Sequence, residues 1–173
     1  MLLIELFFLN PSLFFMIAVS FMFTLGVHEY SHAQTAYFLG DPTAKSQGRL
    51  TINPFAHLDL LGVFFFFIFG FGWGKPVPFN PSNLRNQKWG PALIGLAGPG
   101  SNFLMALAAG LALRFLDLSN VSLILFLSIF VWLNLVFGVF NLLPFPPLDG
   151  SHIFFALFPS FEAVKVLLFQ NIF

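Results

Sequence analysis

The chain has 173 residues, of which 58% are hydrophobic and 8% charged, and 28 of them are Phe. With a mean hydropathy of +0.88, against about 25% charged residues in a soluble domain, it is excluded from the ordinary soluble class and expected to be an integral membrane protein. Seven Lys and Arg balance seven Asp and Glu, leaving no basic surface to bind nucleic acid, and the lack of Cys excludes disulfides, thiolate metal sites and cysteine nucleophiles.

The first nine residues have neither the basic start nor the cleavage site of a signal peptide and are expected to be retained. A long apolar helix is expected over residues 11–40, opened by Pro11 and closed by Gly40 ahead of Asp41-Pro42. Residues 41–90 hold most of the chain's polar groups. Gly48 marks a turn before Arg49-Leu50-Thr51-Ile52, so a short β-hairpin or an irregular loop is expected there. Leu60 to Trp73 is apolar, but about 14 residues of helix reach only about 21 Å against a hydrocarbon core of about 30 Å. This piece is expected to be re-entrant or interfacial. A second long helix is expected over 91–116, with Gly95, Ala97, Gly98 and Gly100 as small residues that let membrane helices approach closely. A third follows over 121–143, then a Pro-rich loop over 144–150 ending in Asp149-Gly150. The last apolar segment, 151–173, is broken by Pro159, and the run after it is too short to span. An interfacial segment or a truncated chain is expected. The whole predicts an all-α polytopic membrane protein: one compact transmembrane helix bundle over 1–173, with a polar, partly re-entrant or β-hairpin segment after its first helix.

Inside the first helix stands His28-Glu29-Tyr30-Ser31-His32. Side chains four residues apart share one helical face, so two imidazoles converge on one ion, and the neighbouring Glu is placed to take a proton from a water on that ion. This is the arrangement of a zinc hydrolase. Two His leave a tetrahedral zinc in need of a third protein ligand and an open position. Asp149 is the best candidate, because the Pro-rich break before it unwinds the backbone and Gly150 permits a tight bend. Its rival use is as the N-cap of the helix beginning at Gly150. His57 and His152 are alternative ligands.

These motifs resemble the site-2 protease family of intramembrane zinc metalloproteases, which share a His-Glu-x-x-His helix and a later Asn-x-x-Pro-x-Pro-x-Leu-Asp-Gly motif. The second motif stands here as Asn141-Leu-Leu-Pro144-Phe-Pro146-Pro-Leu148-Asp149-Gly150, and a third family-like element, Gly-Pro-x-x-Asn, as Gly98-Pro99-Gly100-Ser101-Asn102. The likeness runs from about Phe21 to Ile153 and is to small members without appended soluble domains. It implies one Zn2+ per chain held by His28, His32 and Asp149, water activated by Glu29, and Asn102 and Asn141 beside the substrate. The implied substrate is a transmembrane segment of another protein, in a bacterial or archaeal cytoplasmic membrane. An interhelical hydrogen bond is an equal use for Asn102, and capping the break at Pro144 for Asn141.

Topology gives an independent expectation. His28 lies about 26 Å along a helix begun at Pro11, and Asp149 reaches the same depth only if the first and third helices run in the same direction. Both ends of 41–90 then lie on one side, with Lys45, Arg49, Lys75, Arg85 and Lys88, leaving Arg114 opposite. The positive-inside rule makes that side cytoplasmic and puts the site nearer the cytoplasmic face. The strand-like Leu50-Thr51-Ile52 suggests edge pairing with an unwound substrate. The competing function is a metal or proton transporter using buried His and acidic groups as a relay.

Overall fold

A computed structural model describes residues 3–161, so most of the run after Pro159, with Lys165 and the expectation of truncation, lies outside the described residues. Within them all regular elements are helical. They run α1 (Leu3–Leu9), α2 (Pro11–Phe38), α3 (Thr43–Ser46), α4 (Leu60–Phe69), α5 (Gly90–Phe115), α6 (Val121–Asn141) and α7 (Gly150–Leu157). Helices α2, α5 and α6, of 28, 26 and 21 residues, are long and apolar enough to cross a membrane. At 1.5 Å per residue even the shortest measures about 32 Å, against a hydrocarbon core of about 30 Å.

These three helices pack on one another, and their polarity is inverted relative to a soluble bundle. Ser20, Thr24, His28, Asn102 and Asn134 are at most 3% exposed, whereas Phe23, Leu104, Val121 and Trp132 are each more than half exposed. A bilayer solvates apolar side chains and leaves polar ones to find partners inside. Close approach is made by small residues, with Ala33 and Ala36 of α2 and Ala106 and Ala109 of α5 buried. The helix starts are capped from the sequence. Asn10 accepts from the Leu13 N–H at 3.1 Å, Asp59 from Gly62 at 2.9 Å and Asn120 from Leu123 at 3.0 Å.

Segment 41–90 leaves and rejoins the bundle at one end. Gly40 takes φ +107°, a left-handed value open to glycine, which ends α2. Asp41, wholly buried, then accepts hydrogen bonds from Thr43 N–H at 3.1 Å, Asn80 N–H at 2.6 Å and Asn83 Nδ2 at 2.8 Å. Burial alone would raise this carboxyl's pKa; the hydrogen bonds from Thr43, Asn83 and Asn80 outweigh it and hold the pKa below the usual carboxylate value. The Arg85 N–H closes the same junction on the Leu39 carbonyl at 2.9 Å.

Between these ties the chain makes an out-and-back excursion around α4. Leu58 and Gly74 form an isolated antiparallel bridge at its base, and the Lys75 N–H donates to the His57 carbonyl at 2.8 Å. Gly62 lets the returning arm lie against α4, where a Cβ would be 2.9 Å from the Trp73 carbonyl carbon. Of the two forms expected around Gly48, a short β-hairpin or an irregular loop, the described residues hold no strand. Leu50-Thr51-Ile52 forms no strand, because Asn53 caps Phe55 N–H at 3.1 Å and Pro54 starts a tight 3-10 turn at Pro54–His57. Arg49, counted above with the loop charges, is only 7% exposed and donates from Nη2 to the Lys75 carbonyl at 2.5 Å, pinning the returning arm.

Candidate metal centre

His28 and His32 lie one turn apart on the inner face of α2 and are both buried. Helix α5 passes directly against the two rings, and Gly98 is what allows it. A Cβ at position 98 would collide with His32 Nε2 and lie 2.6 Å from His28 Cε1. Gly95 does the same for the Asp149 loop, whose carbonyl oxygen a Cβ there would approach to 2.7 Å.

Asp149 arrives from the loop after α6. Gly150 presses against the backbone of Leu142 and Leu143, where a Cβ would lie 2.6 Å from the Leu143 carbonyl oxygen, and this close approach turns the preceding residue inward. The Asp149 side chain makes no capping hydrogen bond to α7, so the N-cap use is not realised. Its Oδ2 instead stands 3.1 Å from His28 Nε2 and 3.3 Å from His32 Nε2, and the two Nε2 atoms are 3.0 Å apart. Ligand atoms about 2.0–2.1 Å from a tetrahedral zinc are about 3.3–3.4 Å from each other. The three atoms thus form nearly the face of such a tetrahedron.

The opposite ring nitrogens support the fit. His32 Nδ1 lies 2.7 Å from the Ile94 carbonyl, which can only accept, so this nitrogen donates. His28 Nδ1 donates to Asn102 Oδ1 at 2.6 Å, an orientation set jointly by the Asn102 Nδ2 donating to Asn134 Oδ1 at 3.0 Å and to the Thr24 carbonyl at 3.2 Å. In the neutral rings each Nε2 therefore offers a lone pair. Asp149 Oδ2 is buried, within ion-pair distance of both rings, and receives no hydrogen bond. Three such atoms converging on one point make a donor set that suits a divalent cation.

A cavity of about 630 Å³ opens on this group. One wall is the returning arm, including Trp73 and Phe79, and the other is the end of α6, with Phe137, Phe140 and Asn141. Glu29 lines the cavity beside the His pair and is 8% exposed. Asn141 lines it too, its Nδ2 donating back to the Phe137 carbonyl of its own helix at 2.9 Å. Asn102 does not line it. The residue is wholly buried between α2, α5 and α6, behind His28, with both ends of its amide engaged in hydrogen bonds to neighbouring helices. Nor do the alternative His ligands join the group, which among the described residues comprises His28, His32 and Asp149. His57 is committed to the Thr51 carbonyl at 2.9 Å, and His152 lines the cavity with its ring against Phe79.

Three features of the centre escape the sequence reading. Gly98 reads as one more packing glycine, and the Ile94 carbonyl carries no sequence signal at all. Asn134, hydrogen-bonded to Asn102 at 3.0 Å, does carry one: a carboxamide in the middle of an apolar span is costly unless it has partners.

Residues 114–170 match the family model described as Peptidase family M50. The chain is 42% identical over 166 residues to "Putative zinc metalloprotease YwhC" of Bacillus subtilis (strain 168), covering 91% of this chain and 74% of that protein. It is 33% identical over 144 residues to "Putative zinc metalloprotease Rip2" of Mycobacterium tuberculosis (strain ATCC 25618 / H37Rv), and 29% identical over 143 residues to the Rip2 of Mycolicibacterium smegmatis. Each Rip2 match covers 79% of this chain and 55% of the relative, so the chain spans about half the length of those proteins. No solved structure matches it.

Proposed function

Because the chain belongs to peptidase family M50, the site-2 protease family of zinc metalloproteases, we propose that it hydrolyses a peptide bond in or near a transmembrane segment of another protein, as in regulated intramembrane proteolysis. The observation that carries this reading is the triangle of His28, His32 and Asp149, with sides of 3.0, 3.1 and 3.3 Å, opening on a cavity that Glu29 lines.

In this reading His28 Nε2, His32 Nε2 and Asp149 Oδ2 hold the zinc. The ion, when bound, supplies a Lewis acid that polarises a carbonyl and acidifies water. Glu29 accepts a proton from the attacking water as the water oxygen bonds to the scissile carbonyl carbon. As the carbon–nitrogen bond breaks, the Glu29 carboxyl passes that proton to the leaving nitrogen. Asn102 and the Ile94 carbonyl keep the two imidazoles aimed. A transmembrane helix hides its peptide bonds in its own hydrogen bonds, so the substrate unwinds first, and the apolar walls at Trp73, Val77 and Phe137 suit its side chains. Asn141 stands at the cavity with an amide oxygen to offer a backbone N–H. Lys45, Arg85 and Lys88 at the junction end of the bundle support a site nearer the cytoplasmic face.

A transporter relay needs titratable groups through the depth of the membrane. The buried titratable groups of α2, α5 and α6 are His28, Glu29 and His32, all at one level, which favours hydrolysis. The test is the purified chain in vesicles with a single-span protein whose transmembrane segment carries Gly and Asn. Cleavage within that segment, stopped by a zinc chelator and restored by added zinc, is the expected result. Zinc or proton flux without cleavage would favour the transporter.

A further inference from the structure

Helix α6 buries one polar side chain among the described residues, Asn134, and buries it completely. Its Nδ2 donates to the Phe130 carbonyl at 2.8 Å, which leaves Oδ1 facing out of its own helix. That oxygen accepts from Asn102 Nδ2 at 3.0 Å; the second Nδ2 hydrogen of Asn102 goes to the Thr24 carbonyl at 3.2 Å. Asn102 Oδ1 then accepts from His28 Nδ1 at 2.6 Å. The result is a chain of hydrogen bonds across α6, α5 and α2 that ends on a metal-facing ring.

The chain has one polarity. Backbone carbonyls of Phe130 and Thr24 can only accept, so neither carboxamide can flip without setting two oxygens face to face. Were Asn102 reversed, its amino group would demand a lone pair on His28 Nδ1. The ring proton would then sit on Nε2, closing that nitrogen to a metal. The geometry points to Asn134 as a positioning residue for the metal centre, acting through Asn102 to hold the His28 proton on Nδ1. This rests on the metalloprotease reading of the centre. The bland use of such a residue is an interhelical hydrogen bond that only steadies the bundle.

Two measurements on the purified 173-residue chain separate these uses: zinc affinity by chelator competition, and the ring-nitrogen resonances of His28 in metal-free protein. Asn134→Leu leaves only the longer bond to the Thr24 carbonyl to orient Asn102, so it is expected to lower zinc affinity by about 10-fold, the lower end for partners behind a ligand, and to move His28 part of the way toward the Nε2–H form. Asn134→Asp is expected to restore both. Its buried carboxyl is held neutral, donates to the Phe130 carbonyl and accepts from Asn102 as the native amide does. Asn134→Ser, too short to reach Asn102, gives the same readouts as the leucine variant should that variant fail to fold. Wild-type affinity and an unchanged His28 tautomer in a folded leucine or serine variant, with only the melting temperature lowered, would overturn the proposal. The tautomer is read without metal, so it judges the relay even if wild type bound no zinc, an outcome that would count against the metalloprotease reading instead.

Discussion

Glu29→Gln is expected to abolish peptide cleavage while zinc stays bound. The two side chains have nearly the same shape, and Glu29 is not among the three residues whose ligand atoms converge, so the variant keeps the metal triangle. What it loses is the only carboxylate besides Asp149 on the cavity wall among the described residues. An amide cannot take the water's proton or return it to the leaving nitrogen, so both proton transfers fail. General acid–base catalysis contributes about 10²–10⁴-fold, and with both transfers through one group the upper half of that range applies. A loss of at least about 10³-fold corresponds to about 4 kcal/mol of barrier. Initial cleavage rates with parallel elemental analysis check it, and unchanged cleavage in metal-replete protein would sink the mechanism.

Gly98→Ala is expected to empty the site without unfolding the protein. On helix propensity alone the change favours α5 by about 1 kcal/mol, so a loss of zinc cannot be charged to a weakened helix. The added methyl would collide with His32 Nε2 and stand 2.6 Å from both His28 Cε1 and His32 Cε1. Neither ring can swing away, because His28 is tied to Asn102 and His32 to the Ile94 carbonyl through their far nitrogens. Either those bonds break or α5 moves off α2, and the triangle opens in both cases. Zinc content is expected to fall well below that of wild type, with cleavage lost in proportion. Gly100→Ala is the control, since a Cβ there meets nothing within 4 Å. Full zinc content in Gly98→Ala would mean that the rings do not pack on α5 as described.

Much of the architecture is legible in the sequence because the bilayer imposes it. Apolar runs long enough to span, punctuated by Pro11, Gly40, Pro91 and Asn120, predict the three long helices, and the run after Asp59 is too short to be a fourth. The His28 and His32 pair follows from helical spacing alone. Between the hairpin and the irregular loop left open around Leu50-Thr51-Ile52, local turn chemistry at Asn53-Pro54 overrides the residues' β preference, and no strand forms there. Asn102 illustrates a different limit: its motif places it near the site, but only the packing of three helices reveals that it faces the back of His28 and not the cavity. The roles of Gly98 and the Ile94 carbonyl exist only once α5 is laid against α2. Asn134 was within reach, since the cost of a buried carboxamide in a span applies to it as much as to the His pair.

The central claim is that His28, His32 and Asp149 jointly hold a zinc ion, and its most direct test is elemental analysis of freshly purified, detergent-solubilised wild type beside Asp149→Ala. About one zinc per chain is expected in wild type, as three protein ligands and an open position require, and its loss in the variant. Zinc retained in Asp149→Ala, or absent from wild type, would contradict it.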